Sequence, residues 1–382
     1  MTIYTVKPND TIDSIAASFA ASPEKIAYDN QIPYPYALAV GQSLLIDSNE
    51  SFYTGKSIYS GGYAYPFISP WVLENTLPYL TDLYIFSYGF SAKGELIPPI
   101  IDEKWMIYMA KNYNVRPILT LTPLDSSGSF NNNLITSVVN NSYATDNLIN
   151  NLINQLNTFE YKGVDIDFEY IKEEDKDAFS SFVASATSAL NEYGYIVSVA
   201  LAPKTSSTQA GLLYAGKDYR ALGKAANYVL LMTYEWGYKY GPPMAVAPIN
   251  KVRQVLDYAV TEIPPQKIHL GIPNYGYDWA LPFIKGKSAA TTIGNIEAVQ
   301  IAINNNAAIS FDATAKSPFF EYSSNFQTNE EHIVWFEDVK SYNAKFGLIN
   351  EYNLRGMSVW HINRFFNAGW LLLNDTFTLQ RD

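Results

Sequence analysis

From residue 57 to the C-terminus the chain repeats one alternation eight times, and that repetition leaves few folds open to it. The apolar, strand-like runs are SIYSGGY (57–63), LYIFSYGF (83–90), VRPILTLT (115–122), YKGVDIDFE (161–169), YIVSVALAP (195–203), YVLLMTYE (228–235), IHLGIPNY (268–275) and GMSVWHI (356–362). Amphipathic stretches lie between them. In KDAFSSFVASATSALNEYG, Phe179, Phe182, Val183 and Ala186 fall on one helical stripe, and Gly194 supplies the stop. Strands that alternate with helices form parallel sheets, because each helix returns the chain to start the next strand in the same direction. Eight such units predict an α/β fold of the (β/α)8 TIM barrel type, which needs about 250 residues. One interval is longer than the rest, between the strand starts at 268 and 356. Within it, residues 278–335 carry a helix-like NIEAVQIAINNNA and a hairpin-like FFEYSSNFQTNEEHIVWF, so a small α+β insertion follows strand 7. DVKSYNAKFGLINEYN then resumes as the seventh barrel helix.

Residues 1–48 form a separate βααβ unit. IYTV alternates like a strand, and Asp10 or Thr11 caps a helix with Ile12, Ile15, Ala16 and Phe19 on its apolar face. A second short helix follows Ser22-Pro23, with Ile26 and Tyr28 expected to face inward, and a turn leads to a closing strand in LAVGQSLLI. The YTV start, DTIDSIAASF, Ile26, Asn30 with Ile32, and LAVGQSLLI resemble a LysM domain. That resemblance implies binding of N-acetylglucosamine-containing glycans, peptidoglycan above all. Residues 48–56 are polar with one glycine, Gly55, near the end, and read as a short linker to a barrel spanning 57–382.

Composition narrows the chemistry. A net charge of −11 offers no field for phosphate, which argues against nucleic acid as a partner. The absence of cysteine removes thiol nucleophiles, disulfides and zinc–thiolate sites, and three scattered histidines make a His-based metal site improbable. No metal or organic cofactor is implied. No apolar run is long enough to span a membrane, and no basic-then-apolar leader opens the chain. The 30 Tyr, 20 Phe and 7 Trp suit a cleft that stacks sugar rings, and equally an aromatic core.

The chemistry concentrates in GVDIDFEY (163–170). In a strand, Asp165, Asp167 and Glu169 share one face at intervals of roughly 6–7 Å. Three carboxylates facing a barrel interior are costly unless they are neutralised or used. Glu169 lies nearest the C-terminal end, where barrel active sites form. Asp167 beneath it is expected to raise its pKa by like-charge repulsion, which suits a general acid. MTYEWG (232–237) brings Met232, Tyr234, Glu235 and Trp236 to the same rim, and MSVWHI brings Trp360. Tyr63, Tyr88, Asn274 and Tyr275 end other strands and are weaker candidates for the cleft.

Together these segments resemble glycoside hydrolase family 18, whose signature is DGxDxDxE on strand 4, Met-x-Tyr on strand 6 and Trp on strand 8. The resemblance implies a retaining, substrate-assisted hydrolysis of β-linked N-acetylglucosamine polymers, in which the substrate's acetamido carbonyl is the nucleophile. It makes Glu169 the acid/base and Asp167 the residue that orients the acetamido group, with Asp165 tuning Asp167. Tyr234 would bond the acetamido oxygen and Trp360 would floor the −1 subsite. Lys162 replaces the first Asp of the signature, and Glu235 stands where many chitinases carry Asp. With the LysM-like unit and no visible leader, these departures resemble the spore-cortex N-acetylglucosaminidases, made in the cytoplasm and held at a spore or cell wall. A chitinase is the alternative. A non-catalytic glycan-binding protein is a third possibility, and such proteins usually lack the terminal Glu.

Overall fold

The computed structural model describes residues 1–324 and 330–381. Among these residues eight parallel strands close a barrel: Ser57–Ala64, Asp82–Phe90, Arg116–Leu121, Gly163–Ile166, Ile196–Leu201, Tyr228–Leu231, Ile268–Pro273 and Gly356–Trp360. The eighth pairs with the first, Gly356 opposite Tyr59 through Val359 opposite Gly62, so no strand edge is left open. Helices cover the outside. In helix Lys176–Asn191, Phe179, Phe182, Val183 and Ala186 are buried as the stripe predicted, and Gly194 takes a φ of +78° where the chain turns back.

The fourth strand follows the expected alternation. Val164, Ile166 and Phe168 join the apolar layer beneath the helices, while Asp165 and Asp167 are buried on the opposite face. The hydrogen-bond ladder runs one residue past the strand, since the Asp167 N–H donates to the Leu121 carbonyl (2.9 Å). Glu169 is thereby lifted to the barrel mouth, where it is half-buried.

Among the described residues, the insertion after strand 7 is a five-stranded antiparallel sheet with one helix, Asn295–Asn304, across it. Its first strand, Gly276–Ala280, starts almost directly from the barrel strand. The predicted hairpin is present as Ser317–Ser324 and Glu330–Trp335, and its tip, 325–329, lies outside the described residues. Helix Val339–Glu351 then resumes the barrel.

The N-terminal unit has strands Thr2–Thr5 and Ser43–Ile46 paired antiparallel around helices Ile12–Phe19 and Pro23–Asp29. Thr11 is the cap of the first helix, accepting from the Ser14 N–H. The expectation for Tyr28 is corrected: it is 71% exposed, and Ala27 is buried beside Ile26. At 100° per residue, position 28 lies about 200° round the helix from position 26, on the opposite side. The closing strand is shared between two cores. Leu44 and Ile46 fill the small unit, and Leu45 points into the barrel's apolar layer. Further ties come from Asn367 N–H to the Gln31 amide (2.7 Å), from Ile309 N–H to the Val40 carbonyl (2.8 Å), and from Ala39 packed among Ala298, Ala302 and Phe336. The 48–56 stretch is also fastened, with Phe52 N–H donating to Asp375 (2.9 Å) and Thr54 N–H to the Thr376 carbonyl (3.0 Å).

Candidate active site

Asp165 lies deepest and is fully buried, with Tyr63 Oη donating to Oδ2 (2.8 Å) and Ser198 Oγ to Oδ1 (2.6 Å). Burial lifts its pKa to about 6 against the pull of those two donors. Asp167 is buried one level up, and its Oδ1 has no hydrogen-bond partner among the described residues. Burial first, then Glu169 and then Asp165, push Asp167 well above the usual carboxylate range. The physical reason is depth: Asp167 is enclosed and sits between two carboxylates, whereas Glu169 reaches the mouth.

Glu169 borders an open cleft of about 420 Å³ with Met232, Tyr234, Glu235, Trp236 and Tyr214. The sixth strand ends at Leu231, and Thr233 anchors the following turn by donating to the Gly271 carbonyl (2.8 Å). Gly271 is needed there, because a Cβ would meet the Leu231 carbonyl oxygen at 2.4 Å and the Tyr234 ring at 2.9 Å. Burial, Asp167 and Glu169 raise the Tyr234 pKa well above its ordinary value, so its hydroxyl remains a donor. Glu235 turns the chain with a φ of +67°, and its carboxylate accepts from the Tyr275 and Tyr277 hydroxyls, the latter at 2.9 Å. Burial and Glu169 raise the Glu235 pKa while the two tyrosines lower it. Trp360 is half-buried at the end of strand 8, with ring centroids 5.0 Å from Phe86, 5.6 Å from Tyr63 and 5.8 Å from Tyr65. From Tyr65 and Phe86 a second, apolar hollow of about 390 Å³ continues past Phe67, Ile100 and Phe130.

The structure thus brings Asp165, Asp167, Glu169, Met232, Tyr234, Glu235, Trp236 and Trp360 to one barrel mouth. Tyr63 joins them from below as the partner of Asp165, and Tyr275 as the partner of Glu235. Two candidates are corrected. Tyr88 points outward, where its hydroxyl meets Glu103 and Gln155 between barrel and helices. A register irregularity between Ile85 and Tyr88 reverses the alternation that would have turned it inward. Asn274 is buried and spent on structure: its amide donates to the His361 (3.2 Å) and Arg364 (2.7 Å) carbonyls and accepts from Asn295 (3.1 Å). Sequence reasoning missed Tyr214 and Lys217, both on the long 202–218 connection. Its length between strand and helix was the available signal.

The sequence model of the family Glycosyl hydrolases family 18 matches residues 126–364, and that of the LysM domain matches residues 4–47. The cortical fragment-lytic enzyme of Bacillus subtilis (strain 168) is 35% identical over 431 aligned residues, covering 99% of this chain and 99% of that protein. The putative sporulation-specific glycosylase YdhD of the same organism is 33% identical and covers 99% and 88%. Among solved structures, the spore cortex-lytic enzyme SleL of Bacillus cereus superposes with a TM-score of 0.94 at 30% identity, covering 100% of this chain and 98% of that one. A chitinase from Chromobacterium violaceum shares the fold, with a TM-score of 0.76 at 23% identity. The chain belongs to glycoside hydrolase family 18, and carries a LysM domain at its N-terminus.

Proposed function

We propose that the protein hydrolyses β-linked N-acetylglucosamine glycans with retention, and that its substrate is peptidoglycan of the spore cortex. One observation carries this: a row of three carboxylates graded from buried Asp165 to Glu169 at the cleft, with Tyr234 beside Glu169. Glu169 protonates the glycosidic oxygen. The acetamido carbonyl of the −1 sugar attacks its own anomeric carbon and forms an oxazolinium ion, which water opens with retention. Asp167 meets the acetamido N–H and the charge that develops there. Asp165, held by Tyr63 and Ser198, sets the charge on Asp167. Tyr234 donates to the acetamido oxygen, Trp360 floors the −1 sugar, and Met232, Glu235 and Trp236 border the cleft beside them.

Cortex peptidoglycan is favoured over chitin by the relatives named for cortex lysis, which match the chain end to end. The LysM domain, residues 1–48 in this division, binds the same polymer, and residues 57–382 form the catalytic unit with 278–335 as its insertion. The protein acts at the spore or cell wall. The test is digestion of purified cortex and colloidal chitin side by side, with mass analysis of products, by wild type and Glu169→Gln. Cortex fragments ending in reducing N-acetylglucosamine are expected, with the variant slower by about 10²–10⁴-fold. Equal rates from both proteins would remove Glu169 as the acid, and cleavage of chitin alone would make the enzyme a chitinase.

A further inference from the structure

The 202–218 connection between strand 5 and helix Tyr219–Ala225 is pinned against the chain that leaves Glu169. Lys204 Nζ donates to the Lys217 carbonyl (2.8 Å), Lys204 N–H donates to the Tyr219 hydroxyl (2.9 Å), and that hydroxyl donates to the Ala202 carbonyl. Lys217 N–H closes a turn onto the Tyr214 carbonyl (3.1 Å). Gly216 permits the approach, since a Cβ there would stand 2.3 Å from the Ile171 carbonyl oxygen.

This anchoring buries Lys217 completely, and its Nζ has no hydrogen-bond partner among the described residues. Asp167 Oδ1 is the complementary case, a buried acceptor with no donor. A buried ammonium is expensive unless opposite charge compensates it. Glu169 and Asp167 both attract it, and it in turn pulls Asp167 down. Burial pushes Lys217 to about 8 against that attraction. The other charges around it are balanced or distant in role. Lys204 repels it from the same connection, Glu173 and Lys176 lie at the head of the preceding helix, and Asp218 follows it directly. Arg220 is engaged with Glu262 (2.9 Å), and Tyr258 completes the surround.

We propose that Lys217 is a positioning residue of the glycosidase site, the built-in counter-charge that limits the Asp165–Asp167–Glu169 row to one proton at working pH. Without it the row takes up a further proton, and Asp167 is neutral when charge develops on the acetamido group. The loss falls on kcat more than on KM, because Lys217 acts through Asp167 and Glu169 and does not touch the sugar.

The inference rests on Glu169 as the acid/base. The experiment compares pH profiles of kcat and KM on soluble cortex fragments for wild type, Lys217→Met, Lys217→Arg and Glu169→Gln. Lys217→Met is expected to move the acid limb of kcat up by about one pH unit or more, as for loss of an opposite charge beside a carboxylate. Near pH 6 its kcat should fall about tenfold, the equivalent of that one-unit shift, with KM almost unchanged. Lys217→Arg should restore most of the profile. A folded Lys217→Met enzyme whose limbs superpose on wild type overturns the proposal. If Lys217→Met does not fold, melting at pH 7 decides: Asp167→Asn/Glu169→Gln leaves the ammonium uncompensated, so adding Lys217→Met should raise its melting temperature, and a lower one overturns the proposal. An active Glu169→Gln enzyme removes the assignment of the acid itself, whereas an inactive one with an unmoved Lys217→Met profile removes only the role of Lys217.

Discussion

Tyr63→Phe deletes one hydroxyl and little else. The ring stacks on Tyr84 with centroids 4.4 Å apart, and phenylalanine preserves that contact. What goes is the 2.8 Å hydrogen bond to Asp165 Oδ2, wholly inside the barrel. A hydrogen bond to a charged group contributes about 1.5–3 kcal/mol, against about 1 kcal/mol to a neutral one. The difference between the two forms, at about 1.4 kcal/mol per pKa unit, carries Asp165 from about 6 upward by roughly half a unit to one and a half units. Because the folded value already exceeds the ordinary 3.8, the folded state keeps this proton longer than the unfolded chain does. Stability therefore falls as pH rises from the unfolded value to the folded one, and the variant extends that decline to higher pH. At about pH 4.5 Asp165 is neutral in both proteins and the substitution should cost about 1 kcal/mol, while at about pH 9 it is ionised in both and the cost should reach about 1.5–3 kcal/mol. Urea unfolding of wild type and variant at the two pH values measures the difference. Equal losses at both would refute the assignment of Tyr63 as a donor to a charged Asp165.

Tyr88→Phe tests the corrected orientation of that side chain. It should leave kcat/KM on soluble fragments unchanged and cost about 1–2 kcal/mol in urea unfolding through Glu103 and Gln155. Lys345→Met breaks the pair with Glu337 (2.7 Å), both side chains being almost fully buried where the insertion returns to the barrel. Loss of one partner of a buried pair should cost about 3–5 kcal/mol near neutral pH. The cost should shrink in acid, where Glu337 carries a proton, and unfolding at two pH values reads it.

The barrel was legible because its signals are local and repeated. Val164, Ile166 and Phe168 alternate with Asp165, Asp167 and Glu169, and period two alone assigns each to a face. Gly194 likewise announces a helix stop from its own chemistry, and the helix start was narrowed to Asp10 or Thr11, of which the structure takes Thr11. What was illegible depends on events between distant residues. Tyr88 faces outward because of a register irregularity against strand 3, which no pattern within LYIFSYGF contains. Asn274 looked like a rim donor until carbonyls of His361 and Arg364 came within reach, and Lys217 has no apolar period to mark it as buried.

The fastening of the LysM domain changes what it contributes. A module on a flexible tether adds avidity through effective concentration, which depends on the length and stiffness of the linker. Here the 48–56 stretch is hydrogen-bonded to Asp375 and Thr376, and Leu45 belongs to the barrel's apolar layer. The module's surface is therefore held at one orientation to the cleft, so a polymer engaged by both must match that geometry. The same packing makes the module part of the barrel's stability. Cutting the chain after residue 48 would expose the surface that Leu45, Ala39 and Gln31 cover, and would confound wall binding with unfolding. Substitutions on the exposed face of Pro23–Asp29, such as at Tyr28, separate the two, because that ring is 71% exposed and can be removed without opening either core.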